Sequence, residues 1–231
     1  MYIVTKKKGE KVMTKRFGFT LAEVLITLGI IGVVAAMTMP TLMNATNGAQ
    51  YKTAYKKALS VISQAIVLNL ALDDYDLGTT TSTGTAANDF SMFNLLKNRT
   101  NVVRTETGSI AGYAAILGSN ANSQGTADDG VLAGNYTMFF NDGIMFTFPN
   151  TAQNCTEAND AEGIGKGVAG GACRGFIDVN GTKAPNRQTV CSSGDGDDCI
   201  VDSPADIYPV VFYDQGVYPA SDAARAVLYK K

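Results

Sequence analysis

Residues 21–43 read LAEVLITLGIIGVVAAMTMPTLM, and the interpretation of this stretch decides the fold of everything that follows it. With Glu23 as its only charged residue, it supplies the roughly 20 apolar residues that a helix needs to cross a bilayer. Upstream, residues 1–18 carry Lys6, Lys7, Lys8, Lys11, Lys15 and Arg16 against one acid, Glu10. That leaves 13 of the 19 basic and 20 of the 21 acidic side chains to the rest of the chain. A basic arm before an apolar run is topology information, because the Lys/Arg end stays in the cytoplasm. The alternative, a nucleic-acid-binding arm, lacks any accompanying aromatic or further basic patch, and the acidic remainder repels phosphate.

Three explanations of the apolar run compete. A secretory signal peptide would be cut after its apolar stretch, and Val34, Ala35 and Ala36 offer the small residues for it. Two features oppose this. Glu23 stands at the head of the run, where a carboxylate costs on the order of 2–3 kcal/mol at membrane depth. Helical patterning also continues past Ala36 to about residue 72. A plain membrane anchor accounts for the continuation but leaves Glu23 and the Gly18-Phe19 junction unexplained.

The third explanation rests on Lys15-Arg16-Phe17-Gly18-Phe19-Thr20-Leu21-Ala22-Glu23, which resembles the processing site of type IV pilins and of the pseudopilins of type II secretion. In that family a membrane peptidase cuts after the Gly and methylates the new N-terminus. The resemblance implies cleavage between Gly18 and Phe19, N-methylation of Phe19, and the family's assembly carboxylate at Glu23, the fifth mature residue. Gly32 and Pro40 fall at the fourteenth and twenty-second mature positions, where many pilins carry Gly and Pro. A physical argument runs beside the resemblance. A free amine at Phe19 and the Glu23 carboxylate are each costly in lipid, and pairing between neighbouring subunits relieves both. The other reading of Glu23 is a carboxylate held at headgroup level. Gly29 and Gly32 permit close helix approach, and Pro40 removes a helical hydrogen bond; an ordinary kinked anchor has the same features.

Beyond the run, Ala54, Ala58, Val61, Ile62, Ala65, Ile66 and Leu72 recur at helical steps, with Lys52, Lys56, Lys57 and Gln64 mostly on other faces. Asn47-Gly48 is a place for a bend or a brief break. From Thr20 to Leu72 the helices form a rod of about 80 Å at 1.5 Å per residue. Residues 77–88 form a flexible connector, and a short helix at 89–97 is capped by Asn88 or Asp89. A loop covers 118–134. Strands are expected at 136–140 and 144–148 around Asn141-Asp142-Gly143, a strong hairpin signal. Further strands fall at 176–179, before a turn at Asn180-Gly181, and at 206–213 and 217–218 around Asp214-Gln215-Gly216. A last helix covers 221–229. The expected fold is α+β and pilin-like, a long N-terminal helix packed on a small antiparallel β-sheet head. Its parts are a leader (1–18), a transmembrane and polymerisation helix (19–43), an amphipathic helix (44–76) and a loop-rich head (77–231).

The 24 glycines suit such a head, and the absence of His removes the commonest general base and zinc ligand, which weakens hydrolase and metalloenzyme readings. No catalytic residues are assigned. Cys155, Cys173, Cys191 and Cys199 lie beyond the apolar run, on the side that would be exported, where an even number suggests two disulfides. Of three connectivities, 155 with 173 and 191 with 199 is favoured, because each pair brackets a Gly-rich loop; a four-thiolate metal site is the alternative. No cofactor is expected, although the acidic run with Asp195, Asp197, Asp198, Asp202 and Asp206 invites calcium. Its spacing fits no EF-hand, and Asp-rich loops are usually only solvated.

The function expected is a structural filament subunit, not an enzyme, of a type IV pilus or type II secretion-like system. It would sit in the inner membrane as a single-pass chain, N-terminus in the cytoplasm and head in the periplasm or outside the cell. Expected partners are the prepilin peptidase/methylase, other pilin or pseudopilin subunits, the inner-membrane assembly platform and membrane lipid, without nucleic acid. The alternative is a membrane-anchored binding protein that never polymerises.

Overall fold

The structure, a computed structural model, describes residues 18–81, 91–107, 135–149, 152–156 and 173–229. Its helices are α1 (Leu21–Asp73), α2 (Met92–Lys97) and α3 (Asp222–Tyr229). Its strands are β1 (Val102–Thr107), β2 (Asn135–Phe140), β3 (Met145–Pro149), β4 (Arg174–Asp178), β5 (Ile207–Tyr213) and β6 (Gly216–Pro219). The chain divides into two units, Met1–Met43 and Asn44–Lys231.

In the N-terminal unit, Leu21–Pro40 is helical, has a mean hydropathy of 2.2 and buries none of its residues. It is long and apolar enough to cross a membrane. Its internal hydroxyls are satisfied within the helix: Thr27 donates to the Glu23 carbonyl at 2.9 Å and Thr38 to the Val34 carbonyl at 3.0 Å. That is the arrangement a low-dielectric surrounding demands.

Within the C-terminal unit, α1 buries Tyr55, Ala58, Leu59, Ile62, Ala65 and Ile66. The expected stripe needs correcting at its margins, since Val61 and Leu72 are exposed. Each lies about 80–100° around the helix from Ile62 at 3.6 residues per turn. No break occurs at Asn47-Gly48. Gly48 is buried, and a Cβ there would approach Pro204 Cδ to 3.1 Å, so this glycine provides close approach rather than a bend. The helix ends at Asp74, whose φ of 52° turns the chain out of the helix.

Six strands form one antiparallel sheet in sequence order. Alternation puts Tyr136 and Met138 of β2, Phe146 and Phe148 of β3, Ile177 of β4, Tyr208, Val210 and Phe212 of β5 and Val217 of β6 into one core with the α1 stripe. Three of the aromatic rings meet edge to face, Phe146 and Phe148 each lying about perpendicular to Phe212. Gly175 has no alternative here, because a Cβ would stand 2.3 Å from the Thr147 carbonyl oxygen and 3.2 Å from the Phe146 ring. The 141–143 turn forms as the Asp-Gly pair suggests: Asp142 Oδ1 accepts from the Ile144 N–H at 3.2 Å, and Gly143 has φ +86°.

Three local expectations are corrected. The connector is anchored at its start, where Leu77–Thr79 is a 3-10 turn that buries Leu77 and is closed by reciprocal Asp76 and Thr79 bonds. The Leu77 N–H donates to the Asp214 carbonyl, and the Leu77 carbonyl accepts from the Cys155 N–H. Helix α2 begins later than expected, because Ser91 in extended geometry accepts from the Asn94 N–H and is its cap. Asn88 and Asp89, the expected caps, lie outside the described residues, as does the 118–134 loop. Strand β1 was not anticipated, and it pairs with β2 around a bulge between Val102 and Arg104.

Asn69, buried on α1, ties that helix to α2. Its amide donates to the Leu95 carbonyl at 2.8 Å and its oxygen accepts from Arg99 Nε. Lys57 of α1 pairs with Asp142 in the β2–β3 turn at 2.8 Å.

Candidate processing and assembly site

Gly18, Phe19 and Thr20 precede α1 in non-helical conformation. The peptide bond between Gly18 and Phe19 is therefore outside the helix, with Phe19 88% exposed and open space around Gly18. Thr20 is the helix cap. Its carbonyl accepts the first helical bond, from the Val24 N–H at 3.3 Å, and its hydroxyl accepts from the Glu23 N–H at 3.2 Å. Glu23 answers with one oxygen: Oε2 accepts from the Thr20 N–H and from the Thr20 hydroxyl, both at 2.8 Å. Thr20 and Glu23 thus form a reciprocal capping box, which satisfies two N–H groups the helix start would otherwise leave unpaired. The pattern Thr-x-x-Glu before an apolar run is legible in the sequence. The cost of a carboxylate in lipid singles out Glu23 in the sequence but does not identify Thr20 as its partner.

Gly29 and Gly32 face open space, with nothing within 4 Å of a built Cβ. Pro40 lies inside α1, where it has no N–H to offer the carbonyl four residues back.

Far along the chain, Cys155 is bonded to Cys173 and Cys191 to Cys199, and no described cysteine is free. Asp197 and Asp198 lie in the exposed 3-10 turn Gly196–Asp198 inside the second disulfide loop, and Asp195 precedes it. The Gly196 N–H donates to Asp222 Oδ2 at the start of α3. Asp206 is drawn elsewhere, buried and accepting from the Asn186 and Arg187 N–H groups at 2.8 Å each. Among the described residues no three His, Cys, Asp or Glu side chains come together as a metal site. The calcium candidates therefore do not gather; their loop closes through backbone donors instead.

The family described as prokaryotic N-terminal methylation motif matches residues 13–39. No curated protein and no solved structure matches the chain. The matched span contains Gly18, Phe19, the Thr20–Glu23 box and nearly all of the apolar helix. Residues 13–39 are therefore a prokaryotic N-terminal methylation motif, the signal of type IV pilin and pseudopilin precursors.

Proposed function

We propose that this chain is a structural subunit of a type IV pilus or type II secretion-like filament, cleaved between Gly18 and Phe19 and N-methylated at Phe19. The observation that carries the reading is a lone carboxylate, Glu23, at the head of a 20-residue apolar helix with no buried residue, inside the matched motif. The basic leader stays in the cytoplasm and the apolar helix anchors the chain in the inner membrane. The C-terminal unit lies on the far side, where its disulfides form. Cleavage creates an ammonium at Phe19. In hydrocarbon that charge and the Glu23 carboxylate are each costly, and assembly places them together across neighbouring subunits. Gly29, Gly32 and Pro40 give the helices a close-packing and deformable segment. The partners are the peptidase/methylase, further pilin-type subunits and the inner-membrane platform.

Glu23→Ala tests this reading. Assembly is expected to fall at least tenfold, the order of effect for leaving one member of a buried charge pair alone, while cleavage and methylation continue. Wild-type assembly by Glu23→Ala would contradict the role given to Glu23. A wild-type chain that forms no filament, with head binding unchanged by Glu23→Ala, would instead favour a tethered binding protein that does not polymerise.

A further inference from the structure

The Glu23 carboxylate already has a partner within its own helix start. Both bonds from Thr20 fall on Oε2, and among the described residues Oε1 has no hydrogen bond. The Thr20 hydroxyl is used in both directions, donating to Oε2 and accepting from the Glu23 N–H. A hydroxyl does both from a single oxygen.

We infer that Thr20 is a positioning residue for assembly: it holds Glu23 by Oε2 and leaves Oε1 to receive the Phe19 ammonium of a second copy or a related subunit. The inference rests on the proposed pairing of Glu23 with a neighbour's amine and adds how the carboxylate is oriented for it. Three features of the geometry support it. The amide joining Phe19 to Thr20 is not the bond that cleavage breaks, so both Thr20 donors persist in the mature chain. A carboxylate has about four acceptor positions, so two bonds on Oε2 leave capacity for an ammonium on Oε1. The box also fixes the Glu23 side chain before a partner arrives, so its rotamer freedom is not lost again at the moment of docking. In the unassembled subunit the same two bonds lower the cost of carrying an ionised carboxylate at the edge of the membrane.

The test uses the full chain in membranes with its own peptidase and assembly apparatus. Thr20→Val, Thr20→Gly, Thr20→Ser and Glu23→Ala are compared for N-terminal mass and for sheared filament yield. Thr20→Val and Thr20→Gly are expected to be cleaved normally and to give about tenfold less filament, the scale of one lost hydrogen bond to a charged group. Thr20→Ser restores at least half the wild-type yield. Glycine separates positioning from capping, because it is nearly as good a helix cap as threonine but has no hydroxyl. Normal yield from Thr20→Gly overturns the inference, as does normal yield from Thr20→Val, or a Thr20→Val chain that stays uncleaved. Normal yield from Glu23→Ala overturns the underlying pairing itself, a distinct result.

Discussion

Tyr55 of α1 lies flat on Tyr208 of β5, with ring centroids 3.9 Å apart and planes 7° from parallel. Both side chains are excluded from solvent. Among the described residues the Tyr55 hydroxyl has no hydrogen-bond partner, so the ring packs well while its polar tip loses water without replacement. Burial, with smaller contributions from the neighbouring Tyr208 and Tyr229, pushes the Tyr55 hydroxyl well above its usual value. Burial raises Tyr208 in the same direction. The unfolded chain ionises these tyrosines near pH 10, about the ordinary value, whereas the folded chain keeps them neutral. Stability from this pair is therefore complete below pH 10 and is lost as the pH rises through the elevated folded values. Tyr55→Phe removes the unpartnered hydroxyl and keeps the ring. Urea unfolding at pH 7 should change by less than about 1 kcal/mol, and the midpoint of a base titration should move to higher pH. A loss well beyond that at pH 7 would show that the hydroxyl is bonded after all.

At the scale of elements, the disulfides act on different parts of the C-terminal unit. Cys155 is embedded in the main core, its N–H on the Leu77 carbonyl and its own carbonyl accepting from the Asp214 N–H. Its bond to Cys173 therefore joins the start of β4 to the Leu77–Thr79 turn and the β5–β6 turn. The Cys191–Cys199 loop instead packs against Ala223 and Ala226 of α3. The bridges span sequence separations of 18 and 8, which by loop entropy contribute about 3 and about 2.5 kcal/mol. Replacing Cys155 and Cys173 together by Ala should therefore lower the denaturant midpoint more than replacing Cys191 and Cys199. The core position of the first bridge widens the gap, and the reverse order would contradict the packing described. Elements with strong local chemistry were legible from sequence: the apolar run, the Asp-Gly hairpin, and the last helix. Strand β1 was not, because Val102-Val103-Arg104-Thr105-Glu106-Thr107 mixes charges with β-branched residues and contains no Gly or Pro to mark a turn. Its pairing is decided by contact with β2. The beginning of α2 was misplaced for a similar reason: Asn88, Asp89 and Ser91 are all credible caps, and only the backbone geometry chooses Ser91.

At the scale of the whole molecule, the two units have opposite needs. The C-terminal unit buries its apolar residues in its own core, whereas Leu21–Pro40 buries none and requires lipid or other helices. The charge asymmetry along the chain follows the proposed topology, in which the basic residues of 1–18 mark the end kept in the cytoplasm. Sheet order was beyond the sequence alone. The β3–β4 and β4–β5 pairings bridge long intervening segments, and no local signal specifies which strand will receive them. The candidate site was more legible, since the Gly18, Phe19 and Glu23 offsets are written in consecutive residues. The Thr20–Glu23 spacing stands in the sequence too, but that the Thr20 hydroxyl bonds the Glu23 side chain is fixed only by the cap geometry.

The proposed processing is tested most simply by the intact mass and N-terminal sequence of the protein taken from native membranes. Processing at Gly18 predicts a chain that begins at methylated Phe19 and retains Glu23 and the entire apolar helix. A chain beginning near Met37, cut after Ala36 as a secretory signal is, would contradict it.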